Sequence, residues 1–272
     1  MTSLIRTEWL KMKKYNAFWW IIGVTALSYP GINYMFYKIY ENITTTPSNA
    51  MDIAKAALGN PFAFPEVWRT TAFFSSCFVF IPAVVIIMLV CNEYTFRTHR
   101  QNVIDGWSRS QFITSKLLDV LMVSLMITII YAAVALVTGF ANQTRLIHDT
   151  WSQAYYIGLF GLQTFAQLSI AFLLGFLIKK AFLALGLFLF YFIVVENILY
   201  NVLDWYHIKA ANYLPLEISD KIIPRPAFSG KLNMEAYQKS LDVVPQYVIL
   251  TIILTAVIWA ICYRVNNKRD LK

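Results

Sequence analysis

"NEYTFRTHRQNVIDGWSRSQFITSKL" occupies residues 92–117 and decides how the chain is read. It carries Arg97, His99, Arg100, Arg109 and Lys116 against Glu93 and Asp105. The apolar run "CFVFIPAVVIIMLVC" precedes it and "LMVSLMITIIYAAVALV" follows. A helix-compatible, cationic stretch between two such runs is the signature of a loop joining two membrane spans. A bilayer core of roughly 30 Å takes about 20 apolar residues in helical form. Six blocks approach that length, at about 18–39, 72–91, 117–140, 155–178, 181–203 and 245–263. The chain of 272 residues is 58% hydrophobic and only 14% charged, with a mean hydropathy of +0.54. A soluble domain of this size would carry more charge. A membrane β-barrel would show short alternating strands instead. The expectation is an all-α integral membrane protein of one domain, residues 1–272, with six spans.

The distribution of charge orients it. Residues 1–17, 92–116, 179–180 and 264–272 hold fourteen Lys and Arg in about 53 residues. Residues 40–71, 141–154 and 204–244 hold eight in about 87. The positive-inside rule therefore puts both termini and the 92–117 loop in the cytoplasm. The net charge of +8 is distributed for topology and anionic lipid, with no nucleic acid expected. Aromatic residues mark the same boundaries, with Trp9, Tyr15, Trp19 and Trp20 at the inner end of the first span and Tyr34, Tyr37 and Tyr40 at its outer end. The first block lacks an A-x-A-like cleavage site and reads as a retained span.

Before that span, "TSLIRTEWLKMKKYNAFWW" places Leu4, Ile5, Trp9, Leu10 and Met12 on one side of a helix and Arg6, Lys11, Lys13 and Lys14 on the other. This pattern fits an interfacial helix on the inner leaflet. Pro30 predicts a kink in the first span. A short external helix is expected from about 47, capped by Ser48 or Asn49 and ended by Gly59 and Pro61. Lys179–Lys180 is a very tight turn between two spans. The segment 204–244, broken by Pro215, Pro224, Pro226 and Gly230, has short apolar pieces able to dip back toward the bilayer.

Reactive groups are few. There is no G-x-x-x-x-G-K-[ST] loop, G-x-S-x-G or H-E-x-x-H, and His99, His148 and His207 lie in three separate loops. Cys77, Cys91 and Cys262 are odd in number and widely spaced, so neither a disulfide framework nor a zinc site is expected. Catalytic residues, a metal and a resident cofactor are therefore not expected. Ionisable groups inside spans are functional candidates because charge in hydrocarbon is costly. Asp119 lies in the first turn of the third span, in reach of Lys116. Glu196 lies about 22 Å along the fifth span from Ala181, at roughly 1.5 Å per residue. It shares a face with Tyr200, beside Asn197 and Asn201, in a strip that lines either a pathway or an interface, or forms an interhelical hydrogen-bond cluster. Gln163 and Gln167 read as glue between helices.

Two elements together resemble the ABC-2 type permeases, membrane subunits of ABC transporters. The opening Glu8–Trp9–Leu10–Lys11 is similar to the Glu-hydrophobic-x-Lys element that precedes their first span. The 92–117 stretch is similar to their first cytoplasmic loop, with Glu93, Thr98, Arg100, Ser108–Arg109 and Lys116 at the family's positions. Arg97 stands where the family usually has glycine, and Asp105–Gly106–Trp107 replaces a proline-containing turn. The resemblance implies a type V exporter-like permease with an interfacial N-terminal helix (Glu8, Trp9, Lys11). It implies a cytoplasmic coupling helix between spans two and three (Glu93, Arg97, Thr98, Arg100, Arg109, Lys116). Glu196, Asn197 and Tyr200 are the pathway or interface candidates. The partners it implies are a separate ATP-binding subunit, carrying ATP and Mg, a second permease copy or paralogue, and the lipids of the plasma (inner) membrane. The missing P-loop agrees with such a division of labour. The alternatives are a secondary transporter, or a polytopic membrane enzyme or assembly factor without an ATPase partner.

Overall fold

The structure, a computed structural model, describes residues 2–45, 60–104, 106–142, 149–227 and 234–268. The external helix expected from about 47 lies outside the described residues. Helix α1 (Thr2–Lys14) leads after one residue into α2 (Asn16–Thr45), which runs through Pro30 without ending. Then come α3 (Val67–Ser76), α4 (Phe80–Thr95), the short α5 (Thr98–Ile104), α6 (Arg109–Ala141) and α7 (Tyr156–Ile178). Helix α8 (Ala181–Phe190) continues through a π-turn (Tyr191–Val195) into α9 (Glu196–Trp205). A 3₁₀ turn (Lys209–Tyr213), α10 (Pro215–Asp220), α11 (Met234–Asp242) and α12 (Val244–Lys268) complete the chain. No strand occurs among the described residues.

Four helical stretches are long and apolar enough to cross a membrane: Arg109–Ala141, Tyr156–Ile178, Ala181–Trp205 and Tyr237–Lys268. A fifth is counted if α3 and α4, bent by 51° at their break, act as one span. Where a span is expected at 72–91, the structure has this bent pair in place of one continuous helix. Its break at Cys77–Val79 precedes Pro82, which sits in the first turn of α4, where a missing N–H costs least. Helix α2 is long enough, but Ser28, Asn33, Lys38 and Glu41 leave it short on apolarity.

Helix α7 is the central post, packed against α4, α6 and α12. Its apolar window is 56% buried, against 17% for the α8–α9 stretch, so α8–α9 is the peripheral one. The contact of α7 with α4 is close because Gly175 has no side chain. A Cβ there would fall 2.6 Å from Val90 Cγ1. Small residues at a helix contact let backbones approach in this way. Phe172 stacks on Trp259 of α12, with ring centroids 4.8 Å apart, and Tyr131 meets Phe160 at 4.4 Å. The Lys179–Lys180 turn is as tight as its sequence implies: Lys179 takes φ 61 and its N–H closes on Gly175 O.

Helix α6 starts eight residues before the apolar block, at a capping box. Ser108 Oγ accepts from Gln111 N at 3.2 Å, and Gln111 Oε1 accepts from Ser108 N at 2.8 Å. Helix α1 and the last turn of α12 both meet the start of α6, so these two helices share one end of the bundle.

Candidate functional site: a buried charge cluster beneath α5

Lysine 116 faces inward from the second turn of α6 and is 3% exposed. Its ammonium donates to Glu8 Oε2 at 2.6 Å, Glu93 Oε1 at 2.7 Å and Asp119 Oδ2 at 2.9 Å. These carboxylates come from α1, the last turn of α4, and α6. Lys11 donates to Glu8 Oε1 at 2.9 Å and to Glu93 Oε1 at 3.1 Å, closing the ring from the solvent side. Three carboxyl groups and two ammoniums thus meet in one buried cluster. Glu93 Oε2 and Asp119 Oδ1 accept no hydrogen bond. Burial by itself would raise the Glu8 carboxyl, but Lys116 and Lys11 overcome it and hold it at about 2.

Each partner is placed by its helix. Glu8 and Lys11 are three residues apart on the inward face of α1, which also buries Met12. Trp9 meets Trp19 edge-on at 6.4 Å and fixes the corner between α1 and α2. Lys11 also lies 5.6 Å from the centre of the Trp107 ring, in the turn that follows α5. Breaking a buried pair of this kind costs about 3–5 kcal/mol, because the remaining charge is stranded. The cluster is therefore a clamp joining α1, α4 and α6.

The α5 turn hangs directly on the clamp. Thr98 Oγ1 and His99 Nδ1 both reach the carbonyl of Glu93, at 3.4 and 3.1 Å. Arg97 breaks the chain between α4 and α5 with φ 57, the left-handed conformation that glycine adopts most readily. Phe96 and Ile104 are 73% and 78% exposed at its two ends. Arg109 is directed elsewhere: it donates to Asn267 O at 2.9 Å, and Asn266 Nδ2 donates to Arg109 O at 2.8 Å. A guanidinium at the open carbonyls of the α12 terminus is favourably placed against the helix dipole.

The structure thus brings together Glu8, Lys11, Glu93 and Lys116, puts Thr98 against their backbone, and leaves Arg97 exposed and Arg100 half-buried. Asp119 joins them, paired with Lys116 as its position implies. Glu196, Asn197 and Tyr200 sit toward the other end of the bundle. Glu196 Oε1 accepts from the backbone N–H groups of Leu216 and Glu217, at 2.7 and 2.8 Å, and so caps α10. Gln163 and Gln167 both donate to Asp220 Oδ1 at 2.7 Å, fastening α10 to the central post. Asn197 only bonds back to its own helix, at Phe192 O and Ile193 O.

Sequence reasoning passed over Asp220 and Arg69. Arg69 is 3% exposed and bonds Glu66 and the Tyr237 hydroxyl, although its position suggested an ordinary loop cation. Two glutamines one turn apart in an apolar span were the available signal for Asp220, since they require a polar partner.

Residues 54–272 match the family described as "Protein of unknown function (DUF2705)". The chain belongs to the DUF2705 family. No curated protein matches it. The DUF2705 match takes in Glu93, Lys116 and Asp119 of the clamp, together with the whole α10 region, and begins after α1.

Proposed function

We propose that the chain is the membrane-spanning subunit of an ABC-2 type transporter, an exporter driven by a separate ATP-binding subunit. The observation that carries this reading is the clamp, in which one lysine on α6 holds carboxylates of α1 and α4 beneath α5. In this reading α5 is the coupling helix and α1 the interfacial helix, both on the cytoplasmic side of the plasma membrane. Both termini are then cytoplasmic, and α2 and the bent α3–α4 pair bring the spans to six. A second copy or a paralogue completes the pathway.

The physical logic is that of a lever. Movement of packed elements as rigid bodies needs contacts that do not yield. A push on α5 reaches the α4–α6 pair through Arg97, Thr98 and the Glu93 backbone. The ion pairs oblige α1 to move with them. Exposed Phe96 and Ile104, flanking cationic Arg97, supply the apolar and charged surface that a docking groove requires. The chain then needs few reactive groups of its own, because ATP and Mg are handled by the partner.

The test is co-expression with an ATP-binding subunit encoded beside the gene, followed by purification through a tag on this chain. The reading expects stoichiometric co-purification and ATP hydrolysis by the complex. Purification of the chain alone, with no ATP-binding subunit retained, would refute it.

A further inference from the structure

Toward the end of the bundle opposite the clamp, a cleft of about 330 Å³ opens between α3, α4, the π-turn, α9 and α10. Phe80, Phe192 and Tyr200 supply its aromatic walls, and Glu196, Glu217 and Asp220 its charge. Nothing in the lever described above uses it. The volume is at the small end of the range for small-molecule sites.

The charges in this cleft are not balanced. Lys221 pairs with Glu217 at 3.2 Å. No ion pair joins Glu196 or Asp220 among the described residues. Glu196 is 5% exposed, and its Oε1 is used twice over by the α10 amides. Among the described residues no donor meets its Oε2 at full hydrogen-bond geometry, and the Tyr191 hydroxyl lies beside it. The π-turn before it turns this carboxylate toward α10; such turns recur at functional sites. Asp220 is held on one oxygen by Gln163 and Gln167, while its side chain keeps an open face.

The walls suit the same kind of guest. Phe80 and Phe192 lie 5.8 Å apart at a tilt, presenting ring surface. The Lys221 ammonium already sits 5.5 Å from the centre of the Tyr200 ring, so that face accepts a cation. Among the described residues no three His, Cys, Asp or Glu side chains, those of this cleft included, are placed to share one metal ion, which argues against a bare metal ion. Carboxylates exclude an anion.

We infer that this cleft binds a small amphipathic organic cation, an ammonium or quaternary onium group joined to an apolar body. The onium group lies between Glu196 and Asp220, and the apolar body lies against Phe80 and Phe192. If the chain is a transport subunit, the cleft also names the class of cargo. That extension rests on the transporter reading; the binding itself does not.

The experiment is calorimetric titration of the purified chain, without any ATPase, in neutral maltoside micelles with tetraphenylphosphonium. The expected result is one saturable site, weakened at least tenfold in both Glu196→Gln and Asp220→Asn. Both substitutions keep the oxygen that accepts the α10 amides or the glutamine donors, so unchanged melting temperatures show that the fold survives. Uncharged triphenylphosphine oxide should not compete. Short-chain phosphatidylethanolamine, added as a competitor, separates a lipid headgroup, which displaces the probe, from a free cation, which it leaves bound. Absence of saturable binding, equal affinity in both variants, or competition by the uncharged oxide would overturn the inference.

Discussion

Lys116→Met is the sharpest perturbation of the clamp, because it keeps the reach of the side chain and removes only its charge. Lys116 supplies the contacts at 2.6, 2.7 and 2.9 Å that hold Glu8, Glu93 and Asp119. Without it, three carboxylates of which none is more than 8% exposed share a single ammonium, on the one-third-exposed Lys11 side chain. Stranding buried charge in this way costs about 3–5 kcal/mol. For a chain of this length, each kcal/mol moves the melting temperature by roughly 2–4 °C, so a fall of roughly 6–20 °C is expected. Tryptophan fluorescence during thermal unfolding in detergent micelles reads it. Adding Glu8→Gln and Asp119→Asn to Lys116→Met removes two of the three crowded carboxyl groups and should restore much of the loss. A Lys116→Met protein that melts within about 2 °C of the parent would refute the clamp.

Three further outcomes follow from particular residues. The Glu8 carboxyl lies at about 2 in the fold against 4.5 when free, so its contribution is complete above about 4.5 and lost as pH falls toward 2. Trp9 should accordingly gain exposure to an aqueous quencher across that window, and Glu8→Gln should abolish the transition; a flat quenching profile in the parent contradicts it. Arg97→Gly removes a left-handed non-glycine residue and should be neutral to stabilising by about 1 kcal/mol, whereas Arg97→Val should destabilise, both read as melting temperature; the opposite order contradicts the backbone argument. Gly175→Leu drives a side chain into Val90 and should destabilise by about 1–3 kcal/mol or more, a loss relieved in part by Val90→Ala; unchanged melting contradicts the close α4–α7 contact.

Much of the bundle was legible because membrane-length apolar runs are local signals. The Lys179–Lys180 turn is such a case: nothing else separates two runs there, and the structure turns within those two residues. The bend between α3 and α4 was hidden because Cys77, Phe78 and Val79 are as apolar as their neighbours. Only Pro82, in the first turn of α4, marks it. The clamp was legible in its parts but not in its assembly. Glu8 and Lys116 are 108 residues apart, and no periodicity links them. What could be read was that a lysine at the head of an apolar helix must find counter-charges. The cleft was harder still, since α10 is too short to signal burial and Asp220 looks like any loop acid.

The central claim is that α5 is the handle through which an ATP-binding subunit moves the membrane helices. Its most direct test is ATP hydrolysis by the purified complex in proteoliposomes, comparing the parent with Ile104→Asp and with a chain lacking residues 97–110. Ile104 is 78% exposed, so its replacement leaves the fold and melting temperature unchanged while placing a charge in the docking surface. The account predicts that Ile104→Asp releases the ATP-binding subunit or uncouples its hydrolysis from this chain, and that the deletion does so completely. A complex that stays intact and fully active in both variants would contradict it.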